Sequence, residues 1–139
     1  MRYVLDTSVL VAAVRSNVGV SNKILEAALS KRFITLATNT LFTEYEAVLK
    51  RPEHLSASGL TPNDIDILLD TLEVVLVKVN RSFMWRALLR DPSDEMVLEA
   101  AINGRTDAIV IFNIRDFSAI PERFNIRLLR PKDAIRLLI

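Results

Sequence analysis

Four acidic residues, Asp6, Glu44, Asp94 and Asp116, stand where a carboxylate is either costly or useful. Asp6 closes the apolar run Tyr3-Val4-Leu5. It can cap the helix that follows, a position aspartate fills well, or serve as a free carboxylate at the end of a strand. Glu44 lies three residues after Leu41 and four before Val48, so helical spacing puts it on the apolar face. A carboxylate there needs a cation, a donor or a metal, and a buried arginine pair would also satisfy it. Glu46 instead aligns with Lys50 on the outside. Asp94 shares a face with Val97, Leu98 and Ala101, although Asp91-Pro92-Ser93-Asp94 also reads as an N-cap, a proline-led first turn and an acid answering the cap. Asp116 follows the apolar stretch Ala108 to Phe112 and could be an ordinary turn residue. Should the four converge, like charges would crowd one cleft at a cost that only a cation relieves. An all-oxygen ligand set of this kind suits Mg²⁺ or Mn²⁺.

Composition removes most other chemistries. The chain has no cysteine, hence no disulfide, thiolate zinc site or cysteine nucleophile. That absence fits a reducing compartment. Its one histidine, His54, follows Arg51-Pro52-Glu53 and is expected on the surface, in the loop after a helix, with no triad partner nearby. The three glycines are too scattered for a phosphate-cradling loop. A net charge of +1 does not by itself announce a nucleic-acid binder. Arginine outnumbers lysine, which favours bidentate pairing with carboxylate or phosphate. No run is long and apolar enough to span a bilayer, and Asp6 interrupts any signal-peptide core, so a cytoplasmic protein without a membrane association is expected. Carboxylates are the groups left to carry an activity.

The elements that would position these acids alternate between strand and helix. Strands are expected at Tyr3 to Leu5, Phe33 to Ala37, Val74 to Val79, Ala108 to Phe112 and Ile126 to Leu129. Ser8 or Thr7 would cap a helix from Val9 to Val14, and a second helix runs from about Ser21 to Leu29. Thr38-Asn39-Thr40 caps a helix that Pro52 ends near Lys50. Thr61-Pro62 opens another, ending near Leu72. Further helices are expected from Arg81 to Leu89, Pro92 to Asn103 and Pro131 to Leu138. Such alternation indicates a three-layer α/β/α fold around a central, mainly parallel sheet, formed by residues 1–139 as one domain. Ligands bind off the carboxyl ends of the strands in sheets of this kind.

Taken in order, the motifs resemble those of the PIN domain family. Val4-Leu5-Asp6-Thr7-Ser8-Val9-Leu10 resembles its opening strand and D-T-[NS]-V-L turn. Glu44-Tyr45 with Val48-Leu49, then Arg90-Asp91-Pro92-Ser93-Asp94-Glu95 with Leu98-Glu99-Ala100-Ala101, resemble the second and third acidic motifs. Ile109 through Phe117 resembles the fourth, and Arg130-Pro131-Lys132-Asp133-Ala134 the closing helix. The resemblance, strongest to VapC-like toxin-related members, spans nearly the whole chain. It implies an endoribonuclease that hydrolyses RNA with Mg²⁺ or Mn²⁺, a cognate antitoxin protein as partner, and homo-oligomers of two or more copies. Asp6 and Asp94 would hold the principal ion, with Glu44 and Asp116 ligating directly or through water. The fourth motif departs from the family: Ile111 and Asn113 occupy the places of a small hydroxyl residue and an early aspartate. Asn113 could lend a carbonyl oxygen, without charge, or simply shape the turn. A scaffold that binds RNA or a protein without cutting is therefore the main alternative. A haloacid-dehalogenase-like phosphatase needs a second aspartate where Ser8 stands. Arg15, Arg86, Arg90 and Arg115, near the acidic motifs in sequence, are candidates for phosphate contacts on the rim, or for a plain solvated surface.

Overall fold

The computed structural model describes residues 1–80, 89 and 91–138. Among them five short strands form one sheet: β1 (Arg2–Leu5), β2 (Ile34–Ala37), β3 (Val77–Lys78), β4 (Ala108–Val110) and β5 (Arg127–Leu129). The order is β3-β2-β1-β4-β5 and every pairing is parallel. β1 and β4 sit at the centre, with Tyr3 opposite Ala108, Val4 opposite Ile109 and Leu5 opposite Val110. All six of these residues are fully buried, as expected of strands covered on both faces.

The covering helices are α1 (Thr7–Arg15), α2 (Val20–Leu29), α3 (Asn39–Leu49), α4 (Pro52–Ser58), α5 (Pro62–Val75), α6 (Pro92–Asn103), α7 (Ile120–Phe124) and α8 (Pro131–Arg136). Together with the sheet they make the three-layer α/β/α arrangement. The chain winds from β1 through β2 to β3 on one side, then crosses to β4 and β5 on the other. Parallel crossovers are right-handed, so the two sets of connections cover opposite faces. α6 packs over β1 and β2. The strand order reverses at β1, and in sheets of this kind the ligand crevice lies off the carboxyl ends of the strands at that point.

Several boundaries differ from the sequence expectation for local reasons. Asp6, rather than Thr7 or Ser8, is the N-cap of α1. The residues around His54 form α4 instead of a loop. Pro52 cannot continue α3, but at the first position of a new helix its missing N–H costs nothing. Gly59, at φ 75°, then ends α4 in the left-handed conformation open to glycine. α5 runs through the β-branched Val74 and Val75 because Val75 packs onto the core, while Val74 points to solvent with no strand beside it. β3 is left with only Val77 and Lys78. The 3₁₀ turn at Ile114–Phe117 and the helix α7 were not legible beforehand. The helix expected from Arg81 lies outside the described residues, apart from Leu89.

Candidate functional site

The crevice gathers its acids through backbone geometry. Leu5 hands the chain to Asp6, whose amide donates to Val110 O at 2.9 Å and so extends the β1–β4 ladder by one residue. The Asp6 carboxylate turns back to accept from Ser8 N at 3.1 Å and from the Ser8 hydroxyl. It therefore fills both roles its sequence allowed, helix cap and carboxylate at the strand's end. Glu44 is brought in by α3. Its neighbour Tyr45 is wholly buried and donates its hydroxyl proton to Leu5 O at 2.6 Å. That bond fixes the rotation of α3 against the end of β1. Burial, reinforced by the Asp6 charge, pushes the Tyr45 pKa upward and keeps the phenol a neutral donor.

Asp94 enters from the first turn of α6, where Asp91 is the N-cap and accepts from Ser93 N at 2.8 Å. The Ser93 hydroxyl donates to Glu44 Oε1 at 3.0 Å and so ties α6 to α3. Asp94 itself accepts no hydrogen bond from any described residue, so the capping role available to it in sequence is not taken up. A cleft of about 320 Å³ is lined by Asp6, Glu44 and Asp94, with Thr7, Ser8, Ser93, Arg51 and His54 on its walls. Asp116 and Asn113 do not line it. They stand in the exposed turn after β4, where Asn113 Nδ2 donates to Asp116 Oδ2 at 2.9 Å.

Electrostatics still couple Asp116 to the cleft. Burial raises the Asp6 pKa, the Ser8 hydrogen bonds oppose the rise, and the charges of Asp91 and Asp116 add to it. Burial also pushes Asp94 from its ordinary 3.8 up to about 6, helped by the charges of Asp91, Asp6, Asp116 and Glu95. No arginine or lysine among the described residues forms an ion pair with Asp6, Glu44, Asp94 or Asp116. Unpaired acids such as Asp6 and Asp94, raised by burial and by neighbouring negative charge, are a recurrent sign of a functional site.

A family model described as PIN domain matches residues 2–115. The chain belongs to the PIN domain family. No curated protein and no solved structure gives a significant match. PIN domains are generally nucleases that use divalent metals and bind RNA. The match spans Asp6, Glu44, Asp94 and Asn113 and stops one residue before Asp116. No helix among the described residues of this PIN domain is long and apolar enough to cross a membrane.

The cleft's chemistry fits a divalent ion in donor type. Thr7, on its wall, is 9% exposed, and its Oγ1 has no hydrogen-bond partner. That orphaned oxygen adds to a set of oxygens otherwise made of carboxylates. Among the described residues, no three acids are grouped closely enough to hold an ion as they stand. Mg²⁺ does not require such a cage, being held through one or two carboxylates with waters and substrate phosphates completing the shell.

The arginines divide. Arg15 ends α1 and lines a different cavity, beside Ser16, Asn17 and Asn22. Nine helical residues carry it about 13 Å along the axis from Asp6. Arg115 is exposed beside Asp116 in the 3₁₀ turn. Arg86 and Arg90 lie outside the described residues. Sequence reasoning missed Ser93, Arg51 and His54. For Arg51 a signal existed: Glu44, Val48 and Arg51 follow at spacings of four and three, one helical stripe.

Proposed function

We propose that this PIN domain is an endoribonuclease that hydrolyses RNA phosphodiester bonds with the help of Mg²⁺ or Mn²⁺. The observation that carries the reading is the meeting of Asp6, Glu44 and Asp94 in one cleft, without a described cation paired to any of them. Asp6 and Asp94 are the residues that would hold an ion, with Glu44 lining the same cleft and Asp116 within electrostatic reach. An ion bound there supplies positive charge against the phosphate and acidifies the attacking water. The chain's own groups set the rest. Ser8 orients the Asp6 carboxylate, Ser93 orients Glu44, and the Tyr45–Leu5 bond fixes the distance between β1 and α3.

The VapC-like resemblance extends this to a toxin held in check by a cognate antitoxin, acting as a single domain over residues 1–139. Nuclease assays on a labelled single-stranded RNA, with Mg²⁺, with Mn²⁺ and with EDTA, test the central statement. Cleavage that requires the metal and disappears in Asp6→Asn supports it; metal-independent cleavage, or none, rejects it. A second reading, a scaffold that binds RNA without cutting, is favoured by two observations: no three described acids already form an ion site, and Asn113 stands where an acid is usual. RNA binding without cleavage in the same assay selects it.

A further inference from the structure

Beside its acids, the cleft is lined by three residues whose polar groups have nothing to bind. Arg51 joins α3 to α4, and its backbone is pinned on both sides. Its amide donates to Val48 O at 3.1 Å, and its carbonyl accepts from His54 N and Leu55 N at 3.0 Å each. Its guanidinium forms no ion pair or side-chain hydrogen bond among the described residues, although three carboxylates share the cleft. His54 follows one turn later and is half-buried, and its Nδ1 is buried without a partner. Thr7, with its orphaned hydroxyl, lines the same cleft. Leaving a buried polar atom unpaired is costly, and two such atoms beside an uncommitted guanidinium suit a ligand rich in acceptor oxygens. Arginine's planar fork matches the two non-bridging oxygens of a phosphate.

We infer that Arg51, flanked by His54 and Thr7, forms a phosphate-binding subsite that seats the RNA backbone against the acidic face of the cleft. The inference rests on the nuclease reading and names the substrate contact within it. One cation among several acids would draw the phosphodiester into the cleft and leave the acids free for metal. Of the described arginines near the acidic motifs in sequence, Arg15 lines another cavity and Arg115 stands outside the cleft lining.

The test measures binding of a fluorescent single-stranded RNA to the full chain in EDTA across a salt series, and cleavage in Mn²⁺. Arg51→Gln is expected to weaken binding roughly fivefold, the equivalent of about 1 kcal/mol for a partly solvated contact. It should also make the log–log salt slope shallower by about 0.7, the value for one contact on a single strand. Arg51→Lys keeps the charge and loses the fork, so it should retain the slope while raising KM with kcat little changed. That split is one a merely structural role would not produce, and it holds even if Arg51→Gln folds poorly. His54→Gln should weaken binding without altering the slope. If wild type binds and cuts RNA while Arg51→Gln, melting like wild type, keeps its affinity and slope, the subsite is wrong and the nuclease reading stands. If wild type neither binds nor cuts, both fall.

Discussion

Asp94→Asn offers the sharpest check on the idea that the acids are strained without metal. Asp94 is held at a pKa of about 6 in the fold against an ordinary 3.8, chiefly by burial and then by neighbouring negative charge. A carboxyl whose folded value lies above its unfolded value binds its proton more tightly in the folded state. The metal-free fold therefore carries no penalty from Asp94 below about pH 4. It loses stability as pH rises, and the full penalty is present above about pH 6. At face value the gap from 3.8 to about 6 amounts to about 3 kcal/mol; partial exposure screens this to on the order of 1 kcal/mol. Asparagine removes the charge and keeps the shape. In EDTA at pH 8, Asp94→Asn should melt above wild type by about 3–5 °C for a domain of this size, and the advantage should vanish near pH 4. With Mn²⁺ at a hundred times its Kd the order reverses: wild type gains about 2.7 kcal/mol and the variant little. Thermal melts of both proteins at two pH values, with and without Mn²⁺, give all eight points. A variant that melts below wild type by the same margin at pH 4 and pH 8 would refute the reasoning, because Asp94 would then be acting through packing and not charge.

Four further substitutions probe the cleft and the groups around it. Asn113→Asp replaces the donor to Asp116 with a second charge, so it should lower metal-free stability and tighten Mn²⁺, whereas Asp116→Ala should weaken Mn²⁺; if Asp116→Ala titrates like wild type, Asp116 is no ligand. Tyr45→Phe leaves Leu5 O unpaired in the core and should cost about 1–3 kcal/mol in denaturant unfolding, with a further drop in cleavage at saturating metal if α3 loses its alignment. Ser93→Ala frees Glu44 Oε1 and should change stability by less than about 1.5 kcal/mol; its effect should appear in metal affinity, and an unchanged Mn²⁺ titration would show that Glu44 needs no such tether.

The fold was legible because its signals repeat over many residues. The short apolar run Tyr3 to Leu5 reads as a strand and the longer one from Ala108 as a strand covered on both faces, and proline or threonine marked the starts of α3, α5, α6 and α8. Asp6 and Glu44 were legible for a related reason: each breaks an apolar pattern. The pair Lys50–Glu46, at 3.0 Å, follows from spacing alone, while the second partner of Lys50, Asp66 at 2.6 Å, depends on how α5 packs and could not be read. Tertiary packing also explains the misread strand at Val74, since β-branched propensity is weaker than the pull of the core on Val75. Arg15 stands at the far end of α1 because nearness along the chain to Asp6 is lost over the length of a helix, whereas Arg86 and Arg90 lie outside the described residues.

Why the acids need the surrounding scaffold follows from the charge count. The charges of Asp91 and Asp116 bear on both Asp6 and Asp94, and that of Asp6 bears on Asp94. Repulsion of this kind would spread flexible side chains apart. It is resisted by hydrogen bonds from neutral donors anchored in the sheet and the helix ends: Asp6 N to Val110 O, Tyr45 to Leu5 O, and Ser93 to Glu44. None of these donors carries a positive charge that would compete with a cation, and each bond ties one element of the cleft to another. A salt bridge to arginine would have held the acids as firmly but would have occupied the oxygens that an ion or a substrate must reach. Arg51, the one described arginine lining the cleft, keeps its guanidinium unpaired, so positive and negative groups share the cleft without neutralising each other. A phosphodiester and a divalent ion together would neutralise both.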